Sequence, residues 1–270
     1  MSLFRIAFSV FYLLLPCLFA LPAFAASSSW AENEGGRMRL VLLPAKPDGS
    51  RDGALVIEPR PGWVTYWKEP GDVGIPPSLT TPKGAAYAVT RVEFPVPKLL
   101  NAGGMRDVGY DGPVTLPFSL SGTEDGTPVT LHVFIGVCLN ICIPFQADLT
   151  VTPSNEAAMD ETGLLDTARA RLPEAPSADF SVTGFTMQPN RKRLDISLKI
   201  PAGHPPNGFF LQGPSGYVFL DGTFTAGADQ TTVLSVPIRK LPKTYTLAGK
   251  KWHLLVITGG RAMEAPLAFQ

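Results

Sequence analysis

Apolar and polar residues alternate most cleanly through Arg193-Leu194-Asp195-Ile196-Ser197-Leu198-Lys199-Ile200. A period of two belongs to a half-buried strand with its charges turned to water. The same strand character recurs at residues 37–43, 53–58, 61–67, 87–94, 114–120, 129–136 and 145–151, and later at 209–212, 217–220, 231–238, 252–258 and 262–268. The turn-rich stretch Pro44-Ala45-Lys46-Pro47-Asp48-Gly49-Ser50 predicts a hairpin with a long loop between the first two. Within 61–67, alternation sets Trp63, Thr65 and Trp67 on one face and Val64 and Tyr66 on the other. Its large aromatics predict sandwich core, with a ligand-stacking platform as the alternative. Gly71-Asp72-Val73-Gly74-Ile75-Pro76-Pro77 predicts a structured loop, and 95–109, with Pro95, Pro97, Gly103 and Gly104, predicts irregular chain.

One segment has a helical pattern. Residues 155–172 place Leu164, Leu165, Ala168 and Leu172 near one face, with Ser154 as N-cap, acidic residues early and Arg169 and Arg171 late. Gly163 interrupts it, and Pro173-Glu174-Ala175-Pro176-Ser177 ends it as an interdomain linker. The expected architecture is all-β: a first sandwich at 37–152, the helix and linker at 153–178, and a second sandwich at 179–270. Residues 26–36, small and polar, are expected to be a disordered lead-in.

Composition fits this picture. The 270 residues suffice for two modest domains, and 26 glycines and 27 prolines spread along the chain suit many short strands joined by turns. With 23 basic and 23 acidic residues, no chain-wide field draws it toward nucleic acid or anionic lipid. Residues 1–25 carry Arg5, an apolar run and the small-x-small sequence Ala23-Phe24-Ala25, which predicts a cleaved signal peptide that takes Cys17 with it. No later stretch is long and apolar enough to span a bilayer, so the product is expected to be soluble and, in a Gram-negative cell, periplasmic.

Two of the three cysteines then remain, in Gly136-Val137-Cys138-Leu139-Asn140-Ile141-Cys142-Ile143-Pro144. This stretch is expected at the tip or shoulder of a hairpin, where a reactive group is reached. An exported pair oxidises unless something reduces it. A disulfide closing so small a loop stabilises by only about 2 kcal/mol on the loop-entropy model, a weak staple. Proximity suits thiol–disulfide exchange, although this is neither a CxxC motif nor a helix N-terminus that would activate a thiol. Spacing therefore leaves three readings open: redox exchange through Cys138 and Cys142, a structural disulfide, or copper(I) held by two thiolates. His132 shares a face with Cys138 but lies six residues away, roughly 20 Å along an extended strand. His204 and His253 read as surface or strand histidines.

Several ordered motifs resemble a known family. Pro61-Gly62-Trp63, Tyr66-Trp67, Pro70-Gly71-Asp72-Val73-Gly74-Ile75-Pro76-Pro77, Gly109-Tyr110-Asp111-Gly112, Leu116-Pro117 and Cys138 to Pro144 are similar to the DsbD N-terminal domain family. The likeness covers about residues 37–151, and the tandem second β-domain resembles the ScsB-like branch. It implies an immunoglobulin-like sandwich whose pair shuttles electrons, with Cys142 forming the mixed disulfide and Cys138 resolving it. It also implies a thioredoxin-fold periplasmic protein or a membrane thiol-electron carrier as partner, and no cofactor or metal. DsbD itself spaces its pair more widely and shields it with a cap loop carrying an acidic pair and a phenylalanine; the corresponding stretch here, 99–106, has Leu99, Leu100 and Met105 but no phenylalanine. The transmembrane and thioredoxin-like domains of full-length members have no counterpart in this sequence, so the electron supplier is expected to be another protein. The rival reading is a non-catalytic exported binding or assembly protein with a structural disulfide.

Overall fold

Alternating strands become two antiparallel sandwiches because each buries one face against the other sheet of its pair. The computed structural model describes residues 27–270 except 72, 103, 104, 125, 154–158, 215, 229, 230, 240, 242 and 243. The expected signal peptide and the Ser154 cap therefore lie outside the described residues. The first part of the chain comprises β1 (Ala31–Asn33), β2 (Gly36–Ala45), β3 (Arg51–Pro59), β4 (Val64–Tyr66), β5 (Ser78–Thr80), β6 (Ala88–Val92), β7 (Lys98–Ala102), β8 (Met105–Tyr110), β9 (Val114–Ser121), β10 (Val129–Cys138) and β11 (Cys142–Val151). One sheet has the order β1-β2-β3-β9-β6; the other has β11-β10-β4-β8-β7, with β5 also paired to β10. Their inner faces meet through Leu40, Leu42, Leu55, Ile57, Leu116 and Phe118 on one side and Leu131, Val133, Ile135, Val137, Phe145 and Trp67 on the other.

Helix α1 (Met159–Arg169) covers the outside of the first sheet. Leu165 packs on Val41, Ala54 and Val56, which explains why β3 is buried on both faces instead of alternating. Arg169 also bonds the Asp52 carboxylate, which accepts from Lys46 at 2.7 Å and Ser119 at 3.2 Å. Burial pushes the Asp52 carboxyl up, but the Lys46 and Arg169 cations together outweigh it and hold the group below the usual carboxylate range.

The second part comprises β12 (Ser181–Met187), β13 (Arg193–Lys199), β14 (Pro206–Gln212), β15 (Val218–Phe219), β16 (Thr223–Ala226), β17 (Thr232–Pro237), β18 (Lys251–Thr258) and β19 (Ala262–Ala268). Its sheets have the orders β12-β13-β17-β16 and β15-β14-β18-β19. The cleanly alternating stretch is β13, flanked by β12 and β17, with Leu194, Ile196 and Leu198 fully buried. Strands β12 and β16 are additions to the sequence reading.

The two sandwiches share packing. Trp67 meets Phe210 at a centroid distance of 5.8 Å, and Phe210 and Leu255 belong to the same buried cluster as the first core. Lys68 bonds Glu264 at 2.5 Å, the Gly216 amide donates to Glu69 at 3.1 Å, and Arg106 bonds Asp221 at 2.5 Å.

Three expectations change. The lead-in is ordered from Ser27: Asn33 Oδ1 accepts the Gly35 and Gly36 amides at 2.8 and 3.1 Å, folding the polar stretch back so that β1 pairs with β2. Trp30 then lies under the Arg37 and Arg39 guanidiniums at 4.3 and 4.8 Å. The stretch 95–109 is not irregular but carries the β7–β8 hairpin, because Val108 and Tyr110 turn into the first core, and Leu100 is buried on the opposite face, a pattern that the prolines and glycines obscure. The linker is bound to the second sandwich, since the Glu174 amide donates to Ala262 O at 2.8 Å and Glu174 O accepts the Glu264 amide at 3.1 Å.

Candidate functional site

Strands β10 and β11 stay in register from Val129 opposite Val151 to Cys138 opposite Cys142, leaving Leu139, Asn140 and Ile141 as the connecting tip. The expected hairpin is therefore present, with the cysteines as its last paired residues. Val133, Ile135 and Val137 occupy the core, so alternation turns His132, Phe134 and Cys138 to the outer face. The sulfurs are joined at 2.10 Å between Cα atoms 4.2 Å apart.

Although it faces outward, Cys138 is only 5% exposed. Its cover comes from β4. Cys138 pairs with Val64 and Val137 with Thr65, and the Thr65 hydroxyl donates to Gly136 O at 2.9 Å. Tyr66, two residues from Val64, thus shares the face of the disulfide. Its hydroxyl donates to Cys138 Sγ at 2.9 Å and lies 3.1 Å from Cys142 Sγ. One hydroxyl hydrogen serves one sulfur at a time. Burial first, and the Asp107 carboxylate second, push the Tyr66 phenol up to about 12, so it stays protonated and a donor at neutral pH.

Two glycines let the proline-rich loop close over that ring. A Cβ on Gly74 would lie 2.4 Å from Pro70 Cβ and 2.7 Å from Tyr66 Cδ1, and one on Gly136 would lie 2.7 Å from Ile75 Cβ. Any side chain at either position would lift the loop from Tyr66. Beyond this shielded centre the tip is apolar and exposed, with Ile141 77% and Leu139 46% accessible. Cys142 is half-buried and so more accessible than Cys138.

The stretch that corresponds to the family's cap loop runs away from the disulfide. Thr65 pairs with Tyr110 and Tyr66 with Gly109, so β8 leads from the cysteine end back toward Arg106, which bonds Asp221 of the second sandwich. Shielding falls to Tyr66 and to the loop containing Gly74 and Ile75. Sequence alternation had separated Tyr66 from Trp63 and Trp67; it did not disclose that Tyr66 joins the cysteines, because that depends on the β4–β10 register. Of the three aromatics in 61–67, Trp67 is core and Tyr66 is part of the site.

His132 remains exposed on the outer face and bonds Asp148 at 2.6 Å. His204 and His253 belong to the second half of the chain, where burial lowers the His253 imidazole. None of the three joins the sulfurs, and among the described residues no group of three or more His, Cys, Asp or Glu is placed to hold a metal ion.

Two antiparallel sandwiches with a disulfide across neighbouring strands at one hairpin end define an immunoglobulin-like, disulfide-bearing class of protein. Residues 40–154 match the family described as thiol:disulfide interchange protein DsbD, N-terminal, and this part of the chain belongs to that family. In fold, the chain is similar to the N-terminal periplasmic domain of ScsB from Proteus mirabilis, with a TM-score of 0.74 and 20% sequence identity over 91% of this chain and 98% of that one. That likeness takes in both sandwiches. Among curated proteins no sequence match was found. No helix among the described residues is long and apolar enough to cross a membrane.

Proposed function

We propose that this protein is an exported thiol–disulfide interchange protein of the periplasm, in which Cys138 and Cys142 pass electrons to or from a separate thioredoxin-fold or membrane thiol carrier. The family of residues 40–154 supports interchange chemistry. The observation that carries the reading at this site is the Tyr66 hydroxyl held on both sulfurs. A disulfide sulfur is a weak acceptor and needs no donor, whereas a thiolate formed during exchange gains a charge-assisted bond.

Exchange in one direction runs as follows. A partner thiolate attacks Cys142 Sγ in line with the S–S bond; the new bond forms as the Cys138–Cys142 bond breaks, and Cys138 leaves as a thiolate facing the Tyr66 hydroxyl. The partner's second thiol, once deprotonated, attacks its own sulfur in the mixed disulfide and releases Cys142. Protonation of both cysteines completes the transfer of two electrons and two protons from partner to pair. The reverse sequence oxidises the pair. Cys142 is the entry sulfur because it is the more accessible of the two.

Reduction potential tests the reading. Equilibration in dithiothreitol or glutathione buffers, followed by thiol alkylation, is expected to give a midpoint above about −300 mV. A midpoint well below that value, with no reaction toward thioredoxin-fold proteins, would instead assign the bond to stiffening a recognition loop around Leu139 and Ile141.

Tyr66→Phe removes the hydroxyl and keeps the ring. A hydrogen bond to a charged acceptor contributes about 1.5–3 kcal/mol, and 1.36 kcal/mol corresponds to one pH unit. The donor favours the thiolate, so its loss moves the onset of iodoacetamide alkylation of the reduced pair upward by about one unit or more. An alkylation profile that superposes on the wild type would remove Tyr66 from the mechanism.

A further inference from the structure

Tyr66 is the last residue of β4, a strand of three residues that meets β10 through two pairs and β8 through two. Element ends are where structure loosens first. The residues that follow Tyr66 are held from outside their own sandwich: Trp67 meets Phe210 at 5.8 Å, Lys68 bonds Glu264 at 2.5 Å, and the Glu69 carboxylate accepts the Gly216 amide at 3.1 Å. Gln212 Nε2 donates in turn to Glu264 at 3.0 Å. Three consecutive residues thus anchor on β14, on β19 and on the turn between β14 and β15.

The next residue connects these anchors to the cover of the sulfurs. Pro70 is buried, its carbonyl accepts the Val108 amide at 2.8 Å, and its Cβ is the atom that a Cβ on Gly74 would meet at 2.4 Å. Gly74 and Gly136 flank the Tyr66 ring, since a Cβ on Gly74 would lie 2.7 Å from Cδ1 and one on Gly136 3.1 Å from Cδ2. The phenol therefore reaches the sulfurs through a slot, and the Pro70 side of that slot is joined directly to the residues that the second sandwich binds.

We infer that the second sandwich positions Tyr66 on the cysteine pair, with Glu69 as the positioning residue that transmits the hold. The inference rests on the interchange reading above, in which the Tyr66 hydroxyl stabilises the Cys138 thiolate. Glu69 acts through Pro70 and the ring, and the cysteine-free half of the chain thereby takes part in exchange. Position and charge predict opposite signs. A carboxylate near a thiol disfavours the thiolate, so loss of the Glu69 charge alone would lower the thiol pKa, whereas loosening Tyr66 withdraws a donor from the thiolate and raises it.

The test follows iodoacetamide alkylation of the reduced full chain against pH, with mass spectrometry reading Cys138 separately from Cys142. Glu69→Ala is expected to move the Cys138 midpoint up by about half a unit, which is roughly 3-fold less thiolate at a given pH below it. Glu69→Gln discards the charge but keeps a carbonyl acceptor for the Gly216 amide, and it is expected to restore the wild-type midpoint. A glutamine variant that behaves as the alanine does counts against the inference. In a Tyr66→Phe background Glu69→Ala is expected to shift the midpoint no further, because two residues that act through one contact are not additive. A Glu69→Ala midpoint at or below that of the wild type, or an equal upward shift with and without the Tyr66 hydroxyl, would overturn the inference and leave the interchange reading standing. A Tyr66→Phe profile that superposes on the wild type would remove Tyr66 from the mechanism, and the inference with it. Should Glu69→Ala not fold, Glu69→Asp, which withdraws the carboxylate by one methylene and keeps its charge, takes its place with the same expected direction.

Discussion

Reduced Cys138→Ser is expected to react with 5,5′-dithiobis(2-nitrobenzoate), release one equivalent of thionitrobenzoate and remain capped on Cys142. The reduced wild type releases two and ends in its own disulfide. The difference follows from the second sulfur: in the wild type Cys138 attacks the capped Cys142 and expels the remaining thionitrobenzoate, whereas a serine hydroxyl does not. Cys142→Ser is expected to be the slower of the two single variants, because its remaining thiol at position 138 is only 5% exposed beneath Tyr66. Absorbance of released thionitrobenzoate gives the stoichiometry and rates, and mass spectrometry identifies the cap. With a physiological partner, the same asymmetry makes Cys138→Ser the variant that accumulates a mixed disulfide on a non-reducing gel. Faster capping in Cys142→Ser than in Cys138→Ser would reverse the assigned order of the sulfurs.

The largest effect on stability is expected from Trp67→Ala, a loss of about 3–5 kcal/mol. Trp67 is fully buried, packs in the first core and meets Phe210 of the second sandwich at 5.8 Å. Its removal leaves a void that both sandwiches line, and close-packed neighbours recover only part of the lost contact. Urea unfolding followed by circular dichroism should show the midpoint falling with little change in slope. Trp63→Ala, at a half-buried position, is the matched control and should cost less. Equal losses for the two would mean that the joint core contributes little.

Local alternation carried much of the fold. Leu194, Ile196 and Leu198 announced a buried face before any partner strand was known, and the strands flanking Cys138 and Cys142 announced a hairpin because their apolar positions stay in phase across the tip. What stayed hidden depended on pairing between distant residues. Tyr66 and Cys138 are separated by 72 positions. Only the lateral register of β4 on β10 reveals that the phenol and the sulfurs share a face. The β7–β8 hairpin was hidden differently: prolines and glycines read as breakers where Leu100, Val108 and Tyr110 nonetheless complete a sheet. The polar segment before β2 is ordered through the Asn33 side chain and through the bonds of Ser28 with Leu40, contacts that composition does not register.

The bracing of residues 172–179 has a mechanical consequence. Glu174 bonds β19 through its backbone and Arg261 through its carboxylate at 2.8 Å, while Arg261 also holds Asp179 at 2.7 Å. Val96 N donates to Arg171 O at 3.0 Å just before this segment. With the Trp67–Phe210 contact, these bonds join the sandwiches along a seam instead of at a hinge. The hairpin thus projects from a stiff body, and the span it covers is fixed by that body's dimensions. Reorienting the sulfurs toward any other molecule would therefore turn both sandwiches together and not the first one alone.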